Sequence, residues 1–173
     1  MPLHRYCPQC GHALPAPDRS HRELRQQDCP ACGAIHFRNA KPCAGVLIVR
    51  DGAVLLGRRN RQPFCDWWDI PGGFLDPWEH PEEAAVREAA EETGLVVRPT
   101  ALLGIFLDTY GQDADADFTL NIYYLAEIVS GAAQAGDDLS ELGWFKAGAL
   151  PEQIAFPHNA RQVLSLWERQ VAQ

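Results

Sequence analysis

Hydrophobic positions are unevenly spread along this chain. From Met1 to about Arg38 they are few and scattered, with no run long enough to build a core. From Pro42 the pattern changes. Ala44 to Arg50 is a β-branched apolar run, Asp51-Gly52 is a hairpin turn pair, and Ala53 to Arg59 returns from it, so two antiparallel strands are expected. Pro63 to Trp78 is rich in Pro, Gly and Trp and reads as a loop. Pro81 to Thr93 has helical character and ends at Gly94, a residue suited to a helix C-terminus. Leu95 to Val97, Leu102 to Tyr110 and Phe118 to Val129 read as strands, with an acidic loop, Gly111 to Asp117, between the last two. Trp144-Phe145 reads as a further strand. His158 to Gln170 returns to helical spacing, with Val163, Leu164, Leu166 and Trp167 able to share a face. Strands come before, between and after helices, which predicts an α+β or α/β sandwich.

The core-poor N-terminal segment has a different organising principle. Cys7-Pro8-Gln9-Cys10-Gly11 and Cys29-Pro30-Ala31-Cys32-Gly33 are two Cys-x-x-Cys pairs with 18 residues between them. The two-residue spacer lets both sulfurs of a pair reach one metal, and the following Gly permits the tight turn. A unit this short needs a staple, and four thiolates on one Zn²⁺ supply it. The expected site is therefore a zinc ribbon over residues 1–38, with Cys7, Cys10, Cys29 and Cys32 as ligands and residues 39–173 as a second domain. A closed four-cysteine site is structural, because no coordination position is left open. Cys43 and Cys65 stand alone and read as packing residues.

Composition narrows the function. The formal net charge of −8 does not favour duplex nucleic acid, which requires clustered Lys and Arg. The ribbon does hold His4, Arg5, His21, Arg22 and Arg25, but without a dense basic patch carrying aromatics. No run resembles a signal peptide or a membrane span. Free thiols in metal-binding spacing suit a reducing compartment, so a cytoplasmic location is expected.

The chemistry concentrates between Gly72 and Leu95. On a wheel of 100° per residue with Glu88 at 0°, Glu91 falls at about −60° and Glu92 at about +40°, so three carboxylates share an arc of about 100°. Val86, Ala90 and Thr93 fall on the other side and are expected to pack on the sheet. Clustered like charges destabilise a helix unless a cation offsets them, and Mg²⁺ prefers carboxylate and phosphate oxygens. A solvated acidic face, with Arg87 pairing to Glu83 and Glu91, is the simpler alternative. The Gly72-Gly73 pair, which admits a ligand close to the backbone, and Glu79, just before the helix, weigh against it.

This stretch resembles the Nudix box: Gly, five residues, Glu, seven residues, Arg-Glu, an aliphatic, any residue, Glu-Glu, any residue, Gly, an aliphatic. Gly73, Glu79, Arg87, Glu88, Glu91, Glu92, Gly94 and Leu95 match it at every defined spacing, with Ala89 the one soft fit. Trp68-Asp69-Ile70-Pro71-Gly72 is similar to the family's usual lead-in. Two departures are Trp78, where the family often has Gly, and His80, where it often has Ser or Thr. The resemblance, over about Pro42 to Gln173, implies a mixed sheet between helices and a hydrolase that cuts a pyrophosphate bond with Mg²⁺ or Mn²⁺. It implies that Glu88, Glu91 and Glu92 bind metal, that Gly72 adds a carbonyl oxygen, that Glu79 is a ligand or orienting group, and that Arg87 holds the glutamates. Glu141, in Glu141-Leu142-Gly143-Trp144-Phe145, resembles the place where many relatives carry a loop base.

The expected substrate is a nucleoside diphosphate linked to another moiety, of the ADP-ribose, dinucleotide or diadenosine polyphosphate class. Phe64, Trp67, Phe106, Tyr110 and Tyr123 are candidates to stack on a base, Trp78 adds to the aromatic loops, and Arg58, Arg59 and Arg61 are candidates to meet phosphate. A ribbon before a Nudix box is similar to the NADH pyrophosphatases, but their Ser-Gln-Pro-Trp-Pro-Phe-Pro segment is absent between Val96 and Val129. Tyr110 lies near where diadenosine polyphosphate hydrolases keep a Tyr. Three alternatives stay open: a catalytically silent nucleotide sensor acting as a regulator, a nucleoside triphosphate pyrophosphohydrolase, and a nucleic-acid-binding ribbon with an accessory domain. A homodimer formed through the ribbon is a further expectation that the sequence does not specify.

Overall fold

The computed structural model of the protein describes residues 4–15, 26–111 and 116–171. His21, Arg22 and Arg25, and residues 112–115 of the acidic loop, lie outside the described residues. The N-terminal unit contains β1 (Gln26–Asp28) and β2 (Ile35–Phe37), an antiparallel pair with Gln27 opposite His36.

The second unit is built on β3 (Lys41–Arg50) and β4 (Ala53–Arg59). They are joined as expected at Asp51-Gly52, whose φ values of 51° and 71° are the double left-handed turn that matches strand twist. The expected loop from Pro63 to Trp78 is corrected: it contains β5 (Trp68–Asp69), paired with β4, and β6 (Gly72–Phe74), paired with β3. Strands of two and three residues leave no period to read in sequence. After α1 (Pro81–Thr93), β7 (Leu95–Tyr110) runs without a break where two strands were expected. Register shifts near Val97 and between Pro99 and Gly104 absorb the proline, which is tolerated because β7 is an edge strand. β8 (Asp117–Gly131), β9 (Leu139–Lys146) and α2 (Ala160–Val171) complete the chain.

The sheet order is β5-β4-β3-β8-β7, with β6 also on β3 and β9 also on β4. β3 and β8 are parallel and the other pairs antiparallel, so the sheet is mixed as expected. Strand alternation sends Ala44, Val46 and Ile48 to one face, against α1, and Leu47 to the other, against α2. β4 divides likewise, Leu55 with the first core and Val54 and Leu56 with the second. Burial on both faces explains why these strands read as continuous apolar runs. Each fully buried Val, Leu or Ile contributes roughly 1.5–3 kcal/mol. On α2, Val163, Leu164 and Trp167 are buried and Leu166 is half-buried, in keeping with the expected shared face. No helix among the described residues is long and apolar enough to cross a membrane.

Candidate active site

The candidate site begins with a well-capped helix. His80 precedes α1 in extended conformation; its ring accepts from the Glu82 N–H while the Glu83 carboxylate accepts from the His80 N–H, closing a capping box ahead of Pro81. Gly94 ends the helix at φ 68°, its N–H donating to the Ala90 carbonyl. The expected packing face is corrected. Ala84, Ala85, Ala89 and Thr93 are the buried apolar or neutral positions, whereas Val86 is half-buried and Ala90 exposed. Small side chains let the helix lie close to β3 and β6, and the face they define extends to Glu92 and Glu88 instead of opposing them.

The carboxylates are consequently drawn inward. Glu92 is only 7% exposed, and its Oε2 accepts from the Gly72 N–H at 2.9 Å. Burial pushes its carboxyl up to about 8, against the lowering effect of that N–H. Glu88 lies directly over Gly73, where a β-carbon would come within 2.4 Å of Oε1; burial raises its pKa too, and Arg87 opposes the rise. Gly73 is thus required for close approach. Glu91 is the most open of the three.

Arg87 ties the group together. Its Nε and Nη2 donate to Glu79 at 2.8 and 2.9 Å, Nη1 donates to Glu88 at 2.8 Å and Glu91 at 3.2 Å, and Nη2 also reaches the Phe74 carbonyl at 3.1 Å. This fork holds the Glu79 carboxyl down at about 2. The pairing with Glu91 fits the simple helix-face expectation, but Glu79 and Glu88 replace Glu83 as the other partners.

Among the described residues, the one group of three or more metal-ligating side chains whose donor atoms lie within 4.8 Å of one another is Cys7, Cys10, Cys29 and Cys32. The glutamates are spread further, Glu88 and Glu91 toward Arg87 and Glu92 toward Gly72. Their chemistry nevertheless suits a hard divalent cation: all donors are carboxylate oxygens, and two of them carry a desolvation penalty that such a cation removes. Gly72 enters this arrangement through its N–H; the expected role was for its carbonyl.

A cavity adjoins the same Gly72-Gly73 segment. Its aromatic walls are Phe74, Tyr110, Tyr123 and Phe156, with Tyr110 and Phe156 stacked at 5.6 Å. Its polar lining includes Asp69, Arg59, Asn121 and Asn159, all buried. Arg59 donates to Asp69 at 3.0 Å, and Asp69 is raised by burial against that pairing. Tyr123 donates to Asn159, whose backbone N–H donates to the buried Asp108. Cys43 also lines the cavity, its thiol pushed up to about 12 by burial.

Of the stacking candidates, Tyr110 and Tyr123 reach the cavity. Phe64 packs on Trp67 and Phe156, and Phe106 belongs to the second core. Phe74 and Phe156 were missed: one follows the glycine pair and the other sits in a Pro-flanked loop, with no local signal for either. Arg59 enters the cavity, whereas Arg58 pairs with Asp66 and Glu141, and Arg61 with Asp137 and Asp138. Glu141 lies on β9 opposite Arg58, 3.6 Å from its guanidinium, and has no contact with the helix carboxylates among the interactions described.

In the ribbon, Cys7 Sγ is 3.8 Å from Cys32 Sγ and Cys10 Sγ is 3.6 Å from Cys29 Sγ. Four sulfurs at Zn–S distances of about 2.3 Å form a tetrahedron with edges of about 3.8 Å, so the cluster has the dimensions of that site. Each pair sits in a tight loop: Gly11 N–H donates to Cys7 O and Gly33 N–H to Cys29 O, with both glycines at φ 73°.

A family model described as NUDIX domain matches residues 40–166. The chain is 36% identical over 116 residues to an ADP-ribose pyrophosphatase of Methanocaldococcus jannaschii, a match covering 65% of each protein. It is 30% identical over 170 residues to the NAD-capped RNA hydrolase NudC of Pseudomonas aeruginosa, covering 94% of this chain and 55% of that protein. The chain thus spans less than two thirds of the length of these curated relatives. A crystal structure of a NUDIX hydrolase from Nitrosomonas europaea superposes with a TM-score of 0.74 at 24% identity, covering 98% of this chain and 91% of that one, a likeness of fold.

Proposed function

This chain belongs to the NUDIX domain family, and on that premise we propose that it is a metal-dependent hydrolase cleaving the pyrophosphate bond of a nucleoside diphosphate linked to another moiety. The observation that carries the reading is the Gly72-Gly73 segment. It meets two carboxylates, buried Glu92 through the Gly72 N–H and half-buried Glu88 over Gly73, and it also lines the aromatic-walled cavity. A phosphate group and a flat ring of one ligand can therefore be met together. The names of the two curated relatives, which concern linked nucleoside diphosphates, support the same substrate class.

In this reading Glu88, Glu91 and Glu92 hold Mg²⁺ or Mn²⁺, the Gly72 carbonyl adds an oxygen, and Glu79 is a further ligand or orienting group. Bound divalent cations supply charge neutralisation on the phosphates and a water of lowered pKa. Arg87 positions Glu79, Glu88 and Glu91 through its fork. A helix carboxylate accepts the proton of the attacking water. We assign residues 1–38 to a zinc ribbon in which Cys7, Cys10, Cys29 and Cys32 hold one structural Zn²⁺, and residues 39–173 to the hydrolase domain. Thiolate ligands suit a reducing, cytoplasmic setting, and the ribbon is the surface we assign to pairing in a homodimer.

The test is a substrate panel with and without Mg²⁺, resolved by chromatography. ADP-ribose, NADH and diadenosine polyphosphates should yield nucleoside monophosphate and a second phosphorylated product. Turnover confined to nucleoside triphosphates with release of pyrophosphate refutes the substrate class, and binding without any turnover refutes the enzyme in favour of a sensor.

A further inference from the structure

Trp78 is the most solvent-exposed large apolar side chain among the described residues, at 103% relative exposure. Its backbone lies at φ 70°, in the left-handed region, where a bulky residue is an outlier and glycine is at ease. The position thus combines two unfavourable features: an indole that buries nothing and a strained backbone. The fold requires neither. The turn is held by Glu79, whose N–H donates to the Asp76 carbonyl at 3.1 Å and whose carboxylate accepts from the Asp76 N–H at 2.9 Å, contacts independent of the side chain at 78. Strained residues concentrate where a ligand is clamped, and an unsupported aromatic face binds flat rings by stacking.

The surroundings say which ring. The Phe74 ring lines the cavity while its carbonyl accepts from Arg87. Arg87 grips Glu79, the neighbour of Trp78. Phe74 and Trp78 are four residues apart, at most about 14 Å even if the chain were fully extended. Along this segment cavity-lining Phe74 is followed by the exposed Trp78 and then by Glu79, held by Arg87. The cavity, walled by Phe74, Tyr110, Tyr123 and Phe156, presents flat faces to one ring of a ligand. A ligand with one ring in the cavity and its diphosphate at the carboxylates leaves its other half to extend outward near this short segment, where Trp78 stands exposed.

We propose that Trp78 is a specificity-determining platform that stacks on the second flat ring of a substrate in which a diphosphate joins two ring-bearing nucleosides. The inference rests on the hydrolase reading above and narrows its substrate class to dinucleotides, since the sugar at the far end of ADP-ribose has no π face to stack.

The experiment measures equilibrium binding of diadenosine diphosphate, NADH and ADP-ribose to the full chain and to Trp78→Gly and Trp78→Phe, with Ca²⁺ in place of Mg²⁺. Trp78→Gly relieves the backbone strain, so its melting temperature should be no lower than that of the wild type. Its affinity for the two dinucleotides should fall about 5- to 100-fold, the scale of one lost base–aromatic stack, with ADP-ribose binding unchanged within about twofold. Trp78→Phe should recover most of the loss, and quenching of tryptophan fluorescence by diadenosine diphosphate should diminish in both variants. Unchanged dinucleotide affinity in Trp78→Gly, or equal weakening of all three ligands, overturns the proposal while leaving the hydrolase reading intact. A wild-type protein that prefers ADP-ribose to both dinucleotides also overturns it, and one that binds none of the three overturns it together with the substrate class. A variant altered only in sedimentation makes Trp78 a contact between copies of the chain and overturns it as well.

Discussion

Replacing Arg87 with Ala tests how the carboxylate cluster is held without metal. The side chain is 28% exposed and donates to Glu79 twice, to Glu88, to Glu91 and to the Phe74 carbonyl. The Glu91 contact is an open i,i+4 pair and contributes only about 0.3–0.5 kcal/mol. Glu79 and Glu88 are different: each side chain is 13% exposed, and hydrogen bonds to charged groups with limited water access contribute about 1.5–3 kcal/mol. Allowing for partial screening at Arg87, the total loss expected is about 3 kcal/mol. For a chain of this size that lowers Tm by roughly 6–12 °C. Urea unfolding in Mg²⁺-free buffer measures it directly. The pH dependence supplies a second constraint. Glu79 is depressed from 4.5 to about 2 in the folded protein, first by its hydrogen bonds from Arg87. A depressed acid stabilises the fold above its unfolded value and loses that contribution as pH falls through its folded value. The gap between wild type and Arg87→Ala should therefore be full at pH 6–7 and shrink below about pH 4.5 toward 2. Arg87→Lys should fall between the two, since it keeps the charge and loses the fork. A loss below about 0.5 kcal/mol at pH 7, or a gap that does not narrow in acid, would refute the reasoning.

Three further outcomes are expected. Glu91→Gln and Glu92→Gln should each lower kcat by about 10²-fold or more with the fold retained; near-wild-type turnover in both would remove the metal assignment. Elemental analysis of protein purified without added metal should find one zinc per chain, and Cys29→Ser should release it without changing the chemical step; a folded, metal-free N-terminal unit would defeat the ribbon reading. Glu141→Gln should retain turnover within about threefold, because its described partner is Arg58, whereas a fall of the size general-base catalysis provides, about 10²-fold, would make Glu141 the base.

Much of this protein is governed by interactions between near neighbours, and those were readable from sequence. The α1 limits follow from Pro81, Glu83 and Gly94, each acting within one turn of the helix end. The 100° helical step brings Glu88, Glu91 and Glu92 onto one arc whatever the rest of the chain does. Asp51-Gly52 sets the β3–β4 turn by its own backbone preferences, and the spacing within each Cys-x-x-Cys pair brings its two sulfurs within reach of one metal.

Tertiary structure decided what depends on residues far apart. Which side of α1 is buried was settled by how closely the alanines approach β3 and β6, so Ala90 faces solvent and Glu92 does not. The cavity draws on Cys43, Asp69, Phe74, Tyr110, Asn121 and Phe156, from strands and loops with no shared period. Phe74 and Tyr110 are adjacent only because β3 pairs with both β6 and β8, and β8 with β7. Pairing of β9 with β4 set Glu141 against Arg58. A helix period or a turn preference acts through bonds a few residues long, whereas a wall, a buried pair or a shared glycine segment exists only once the sheet order is complete.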